Sequence, residues 1–116
     1  MNKTNIYLIG SDETSVFNYD IFCAKKIKSL YECKGELDAI FAKNFENLPI
    51  AEKYCSEHNI ETINLEKNEQ NFFYSIVRYS AEQNDKKNLA ALVSEKMTLK
   101  LNLLFKLDPC FESHLI

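Results

Sequence analysis

Ser11, Asp12 and Glu13 follow the apolar run Ile6-Tyr7-Leu8-Ile9-Gly10, Asn44 follows the run ending at Ala42, and Glu66 follows Leu65. In open α/β sheets ligands bind beyond the carboxyl ends of the strands, so these five polar residues occupy the positions where a site would form. A hard cation such as Mg²⁺ takes oxygen ligands and retains several waters, which makes Asp12, Glu13 and Glu66 the candidate set for it. Ser11 and Asn44 would stand beside them for a phosphorylated metabolite. Acidic residues at helix starts are also favoured by the helix dipole alone, so the carboxylates do not demand a metal.

Other chemistries find less material. A phosphate cradle needs glycines that let backbone N–H groups approach the ligand, and the chain has two glycines in all, with no G-x-G-x-x-G and no G-K-[ST]. The four cysteines, Cys23, Cys33, Cys55 and Cys110, form no C-x-x-C pair, and only His58 and His114 could join them as soft ligands. Reduced thiols are therefore expected, with Cys23 and Cys55 acting as small buried hydrophobes. His58 falls on the flank of a predicted helix and His114 is the third residue from the end, so neither meets a partner for nucleophilic catalysis. No catalytic residue and no cofactor is expected from these patterns.

The stretch Ile6-Tyr7-Leu8-Ile9-Gly10-Ser11-Asp12-Glu13, with Ala51 and Ile60 around a later helix, resembles the amino-terminal half of the formyltransferase fold. That family's catalytic Asn and His have no counterpart in this chain. Asp12, Glu13, Glu66 and Ser94 are also similar in placement to the acidic and hydroxyl residues of a receiver domain, with Glu66 where the phosphorylated Asp would be. Both likenesses imply a parallel α/β sheet with a ligand crevice at its strand ends.

The elements that must position these residues can be read from periodicity. Ile6–Ile9 is a continuous apolar run stopped by Gly10, the pattern of a strand covered on both faces. Ser11 to Ser15 supply capping oxygens, and Val16, Tyr19, Cys23, Ile27 and Leu30 recur at helical spacing up to Gly35. A second unit pairs a strand over Leu37–Ala42 with a helix opened by Asn47-Leu48-Pro49, where proline costs no needed donor. Asn59 tolerates the left-handed conformation that ends helices, so a third strand, Ile60–Leu65, begins at once. Its alternating pattern places it near an edge. Phe72–Ser80 reads as a third helix and Leu89–Val93 as a fourth buried strand. From 98 to 107 the apolar residues Leu99, Leu101, Leu103, Phe105 and Leu107 take every odd position, which is a strand's period; leucine favours helices, however, and a helix carrying Leu99, Leu103, Leu104 and Leu107 inward is the alternative. A strand there would return antiparallel to the fourth as a hairpin.

Strands that alternate with helices imply right-handed crossovers. The expected fold is one three-layer α/β domain over 1–116, with a mainly parallel four-stranded sheet, flanking helices and a C-terminal antiparallel strand. The 116 residues suit one core, and 46% apolar with 27% charged residues is ordinary globular composition. A formal net charge of −3 argues against a protein that lives on phosphate backbones. Lys25, Lys26 and Lys28 would spread around the outside of a helix. No apolar run reaches the length of a membrane span and no signal-peptide core is visible, so a cytoplasmic protein is expected.

With no acid, base or nucleophile set at the strand ends, the chain reads as a small non-enzymatic interaction module, such as a regulator, immunity protein or inhibitor, with a protein partner. Six tyrosines and eight phenylalanines support this, with Phe45, Phe72, Phe73, Tyr74 and Phe111 falling near loops or element ends. The candidate interface is Leu99, Leu101, Leu103, Phe72 and Phe73. Two alternatives stand beside it: a ligand site at Ser11, Asp12, Glu13, Asn44 and Glu66, and a homo-oligomer joined through the 98–107 strand.

Overall fold

The first apolar run forms strand β1, Thr4–Gly10, at the heart of a computed structural model that describes residues 3–12, 18–65 and 71–116. The elements that follow are α1 (Tyr19–Lys34), β2 (Ala39–Ala42), a 3₁₀ turn (Phe45–Asn47), α2 (Pro49–Glu57), β3 (Glu61–Asn64), α3 (Phe72–Glu82), β4 (Asn88–Val93), α4 (Glu95–Lys106) and β5 (Phe111–Leu115). The strands form one sheet in the order β3-β2-β4-β1-β5, and every neighbouring pair is parallel.

Side chains alternate along each strand, so the sheet builds two cores. Tyr7, Ile9, Ile40, Ala42, Ala90 and Leu92 face α1 and α2, meeting Cys23, Ile27, Leu30, Ala51 and Cys55. Ile6, Leu8, Phe41, Leu89 and Ala91 face the other way, onto Phe72 and Ile76 of α3 and Met97, Leu101 and Phe105 of α4. This is the three-layer α/β architecture expected from the alternation of strands and helices.

Two aspartates tie the layers at their ends. Pro49 stands at the start of α2 and Leu48 offers no capping side chain, so the free N–H groups are met from another helix. The Asp20 carboxylate of α1 accepts from Ile50 N–H through Oδ2 at 2.8 Å and from Ala51 N–H through Oδ1 at 2.9 Å. At the opposite end of the sheet Asp38 Oδ2 accepts from the N–H groups of both Lys87 and Asn88, at 2.8 and 2.9 Å, and fixes the start of β4 beside β2.

Several local expectations hold. Asn59 has a positive φ of 57° between α2 and β3, and β3 is an edge strand. Gly35, at φ 86°, ends α1 with its N–H bonded to the Tyr31 carbonyl. The N-cap of α1 differs from the expectation: it is Asn18, whose side chain accepts from Ile21 N–H, while 13–17 lie outside the described residues.

The C-terminal third corrects the sequence reading. Residues 98–107 are no strand: α4 runs from Glu95 to Lys106, capped by Ser94, whose hydroxyl accepts from Met97 N–H, and its inward face is Met97, Leu101 and Phe105 rather than Leu99, Leu103, Leu104 and Leu107. The fifth strand is Phe111–Leu115, and it lies parallel to β1 rather than antiparallel to β4. Met97-Leu101-Phe105 and Leu99-Leu103-Leu107 are two rows spaced by one helical turn and offset by two residues. Together they fill the odd positions and imitate a strand's alternation. Pairing of two chains through a 98–107 strand falls with that strand. His114 also belongs to regular structure: its Nε2 lies 3.2 Å from Asn5 Oδ1 and its ring stacks on Tyr7 at 4.9 Å.

Candidate functional site

The ends of β1, β2 and β4 form a small cavity of about 140 Å³, part polar and part apolar, whose polar lining includes Ser11, Asp12, Tyr19, Lys43, Asn44 and Ser94. Three of the five predicted ligand residues, Ser11, Asp12 and Asn44, thus meet at one place. Glu13 and Glu66 lie outside the described residues. Several of the polar groups at the cavity hold hydrogen bonds within the chain. Ser11 Oγ and Tyr19 Oη are 2.8 Å apart, and Asn44 Oδ1 accepts from Glu46 N–H at 3.0 Å. Ser94 caps α4, and Asp12 Oδ1 lies 3.4 Å from Glu95 N–H. The cavity is also small beside ordinary small-molecule sites, which run from roughly 300 to 1,000 Å³. Among the described residues no group of three His, Cys, Asp or Glu side chains is placed to hold a metal ion.

The predicted interface residues separate. Leu101 and Phe72 are buried in the core and Phe73 is half-buried, its ring packed at 4.8 Å from that of Phe105. Phe45 and Phe111 are core residues as well, while Tyr74 is exposed. Leu99 and Leu103 point to solvent, 59% and 66% exposed, and the helix adds a third residue that the strand reading left off the interface, Leu107 at 83%. Leu104 is exposed beside them and, with Leu107, Phe73 and Pro109, borders a shallow depression.

Helical geometry explains this arrangement. Met97, Leu101 and Phe105 cover the sheet, and the row Leu99-Leu103-Leu107 runs along the opposite side of the same helix. A surface helix normally carries polar residues there, and a helix apolar on both sides is the type that proteins bury. Single exposed leucines are commonplace, but three in one row with a fourth alongside make a contiguous patch. The charged residues within the row are basic, with Glu95 and Asp108 at its two ends. Leu103 has Leu99 and Leu107 one turn away on either side, and the exposed Lys100 and Lys106 three residues away in each direction. The signal was present in the sequence as leucines at i, i+4 and i+8.

The thiols divide in the same plain way, with Cys33 and Cys110 exposed and Cys23 and Cys55 buried. Burial, with a smaller contribution from Glu52, pushes the Cys55 thiol up to about 12. A thiol reagent applied to the native protein should therefore label two cysteines quickly and all four only after unfolding. Because the folded thiol resists ionisation, the unfolded state loses its proton first. The stability linked to Cys55 is complete below the ordinary thiol value of 9.0 and is lost as pH rises from there towards about 12. The Tyr79 phenol is shifted the same way, first by burial and then by its hydrogen bond to Glu61. Urea midpoints should fall from about pH 8 to about pH 11.

Among the described residues no helix is long and apolar enough to cross a membrane. Comparison with known proteins finds no family model, no curated protein and no solved structure that matches the chain, so the formyltransferase-like and receiver-like features of the strand ends gain no relative in support.

Proposed function

We propose that this protein is a non-catalytic interaction module that binds a protein partner through the outward side of α4. The observation that carries the reading is the row Leu99-Leu103-Leu107, exposed on the face opposite the core stripe of the same helix. Burying such a row against a partner removes apolar area from water at roughly 25 cal/mol per Å². Strand-end loops in which Ser11, Asn44 and Ser94 already hold hydrogen bonds within the chain fit a protein that acts by contact. A regulator, an inhibitor and an immunity protein all work by occupying a partner's surface, and this face suits each of them.

The test is a matched co-purification from the cells that make the protein, with wild type and Leu103→Glu as bait. The substitution sets a carboxylate in the middle of the apolar row without touching the core, so circular dichroism and the melting temperature should be unchanged. A specific partner should be recovered at least about tenfold less well with the variant, the loss expected when a central apolar contact is replaced by a charge. Identical partners in identical amounts would remove the reading.

A further inference from the structure

Resting on that reading of α4, we infer that the occupant of its outward face is an acidic amphipathic helix of a different protein. Its apolar residues lie along Leu99, Leu103 and Leu107, and its carboxylates reach Lys96, Lys100 and Lys106.

Charge carries the choice of partner. The chain as a whole is net negative at −3, yet the charged residues between Leu99 and Leu107, Lys100 and Lys106, are both exposed lysines. The one carboxylate of the helix, Glu95, is exposed one turn before Leu99, at the amino-terminal end of the row beside Lys96, and its Cγ lies near Gly10 at the end of β1. Beyond it runs an apolar row with Lys100 and Lys106 on opposite flanks and Lys96 at its amino-terminal end. A helix with apolar residues every three or four positions and carboxylates on both borders would match it, with the apolar strip giving affinity and the charges setting orientation and on-rate.

The other occupants fit less well. A second copy would gather six lysines around one apolar contact, since each chain brings the same three, and like charges in a closed contact oppose it. Nucleic acid would meet leucines where it needs phosphate contacts. An anionic bilayer would attract the lysines, but it would also face the remaining acidic surface of a net-negative protein within a Debye length of about 8 Å.

The experiment follows binding to ¹⁵N-labelled protein by NMR, with two lactam-bridged helical peptides that share one row of leucines. One has glutamates on both flanks and the other has lysines there. The glutamate peptide should bind at least about tenfold more tightly at low salt, shift resonances of α4, and lose most of that advantage as salt rises. The double variant Lys100→Glu/Lys106→Glu should reverse the preference. Equal affinities, a preference for the lysine peptide or binding of neither would overturn the inference. So would tighter binding to vesicles containing phosphatidylserine than to the glutamate peptide, or a concentration-dependent dimer in sedimentation equilibrium. The co-purification separates the two levels of failure. A partner lost with Leu103→Glu but kept by the double lysine variant leaves α4 as the contact face and removes the acidic helix, whereas a partner kept by both removes the contact face itself.

Discussion

Leu101→Ala is expected to lower the free energy of unfolding by about 2–5 kcal/mol, while Leu103→Ala, two residues away in the same helix, should change it by no more than about 0.5 kcal/mol. Leu101 is 1% exposed and packed in the core between α4 and the sheet. Its truncation removes buried methyl groups and leaves a cavity in a core held by the sheet and by α4 itself. Leu103 buries little of its surface in the free protein, and alanine is the better helix former. Chemical denaturation of the two variants gives the comparison directly. The pair also decides between the two readings of this segment, because a strand would place Leu101 and Leu103 on one face with matching costs, and only a helix puts them on opposite sides. A partner bound by α4 reverses the ranking for affinity, so Leu103 becomes the sensitive position.

Most of the architecture was legible wherever burial was two-sided. Ile6–Ile9, Ala39–Ala42 and Leu89–Val93 sit at the centre of a parallel sheet with helices on both faces, and that burial leaves short apolar runs in the sequence. Pro49, Asn59 and Gly35 mark boundaries because each has a backbone reason to stand there. The order β3-β2-β4-β1-β5 was not legible, since periodicity says which face is buried but not which strand is its neighbour.

The misreading of α4 has a physical cause that bears on function. A helix that serves one core has one apolar row, and its period is unambiguous. A helix with a second apolar row, offset by two residues, acquires a false period of two. The ambiguity at Leu99–Leu107 is thus the sequence signature of the exposed row itself. β5 escaped for a different reason. It is short and at an edge, and Ser113 and His114 meet polar partners, Asn102 Oδ1 at 2.6 Å and Asn5 Oδ1 at 3.2 Å, so it has no apolar run. Its one sequence signal was Asp108-Pro109 ahead of Phe111, and Asp108 Oδ1 does close the turn by accepting from Cys110 N–H. For the candidate ligand site, proximity of Ser11, Asp12 and Asn44 followed from the parallel sheet. The engagement of their polar atoms did not, because Tyr19, Glu46 and Glu95 are brought to them by the helix starts and the 3₁₀ turn.

The two bridging aspartates should respond to asparagine by different amounts. Replacing either Asp20 or Asp38 by alanine leaves two backbone N–H groups without their acceptor, at an expected cost of about 2–4 kcal/mol, since bonds to a charged acceptor are worth more than neutral ones. The isosteric substitution distinguishes them through geometry. Asp38 receives both N–H groups, from Lys87 and Asn88, on the single oxygen Oδ2. An asparagine can turn its one carbonyl oxygen to that point and keep both bonds, so Asp38→Asn should cost about 1 kcal/mol, the charge contribution alone. Asp20 divides the work, with Ile50 N–H on Oδ2 and Ala51 N–H on Oδ1. An asparagine there must aim its amide group at one of those N–H donors, which loses a bond and sets donor against donor. Asp20→Asn should therefore cost nearly as much as Asp20→Ala, with the loss falling on the start of α2. Urea unfolding of the four variants measures the costs, and equal effects of asparagine at both positions would show that charge, rather than the number of acceptor oxygens, holds these two ends of the domain together.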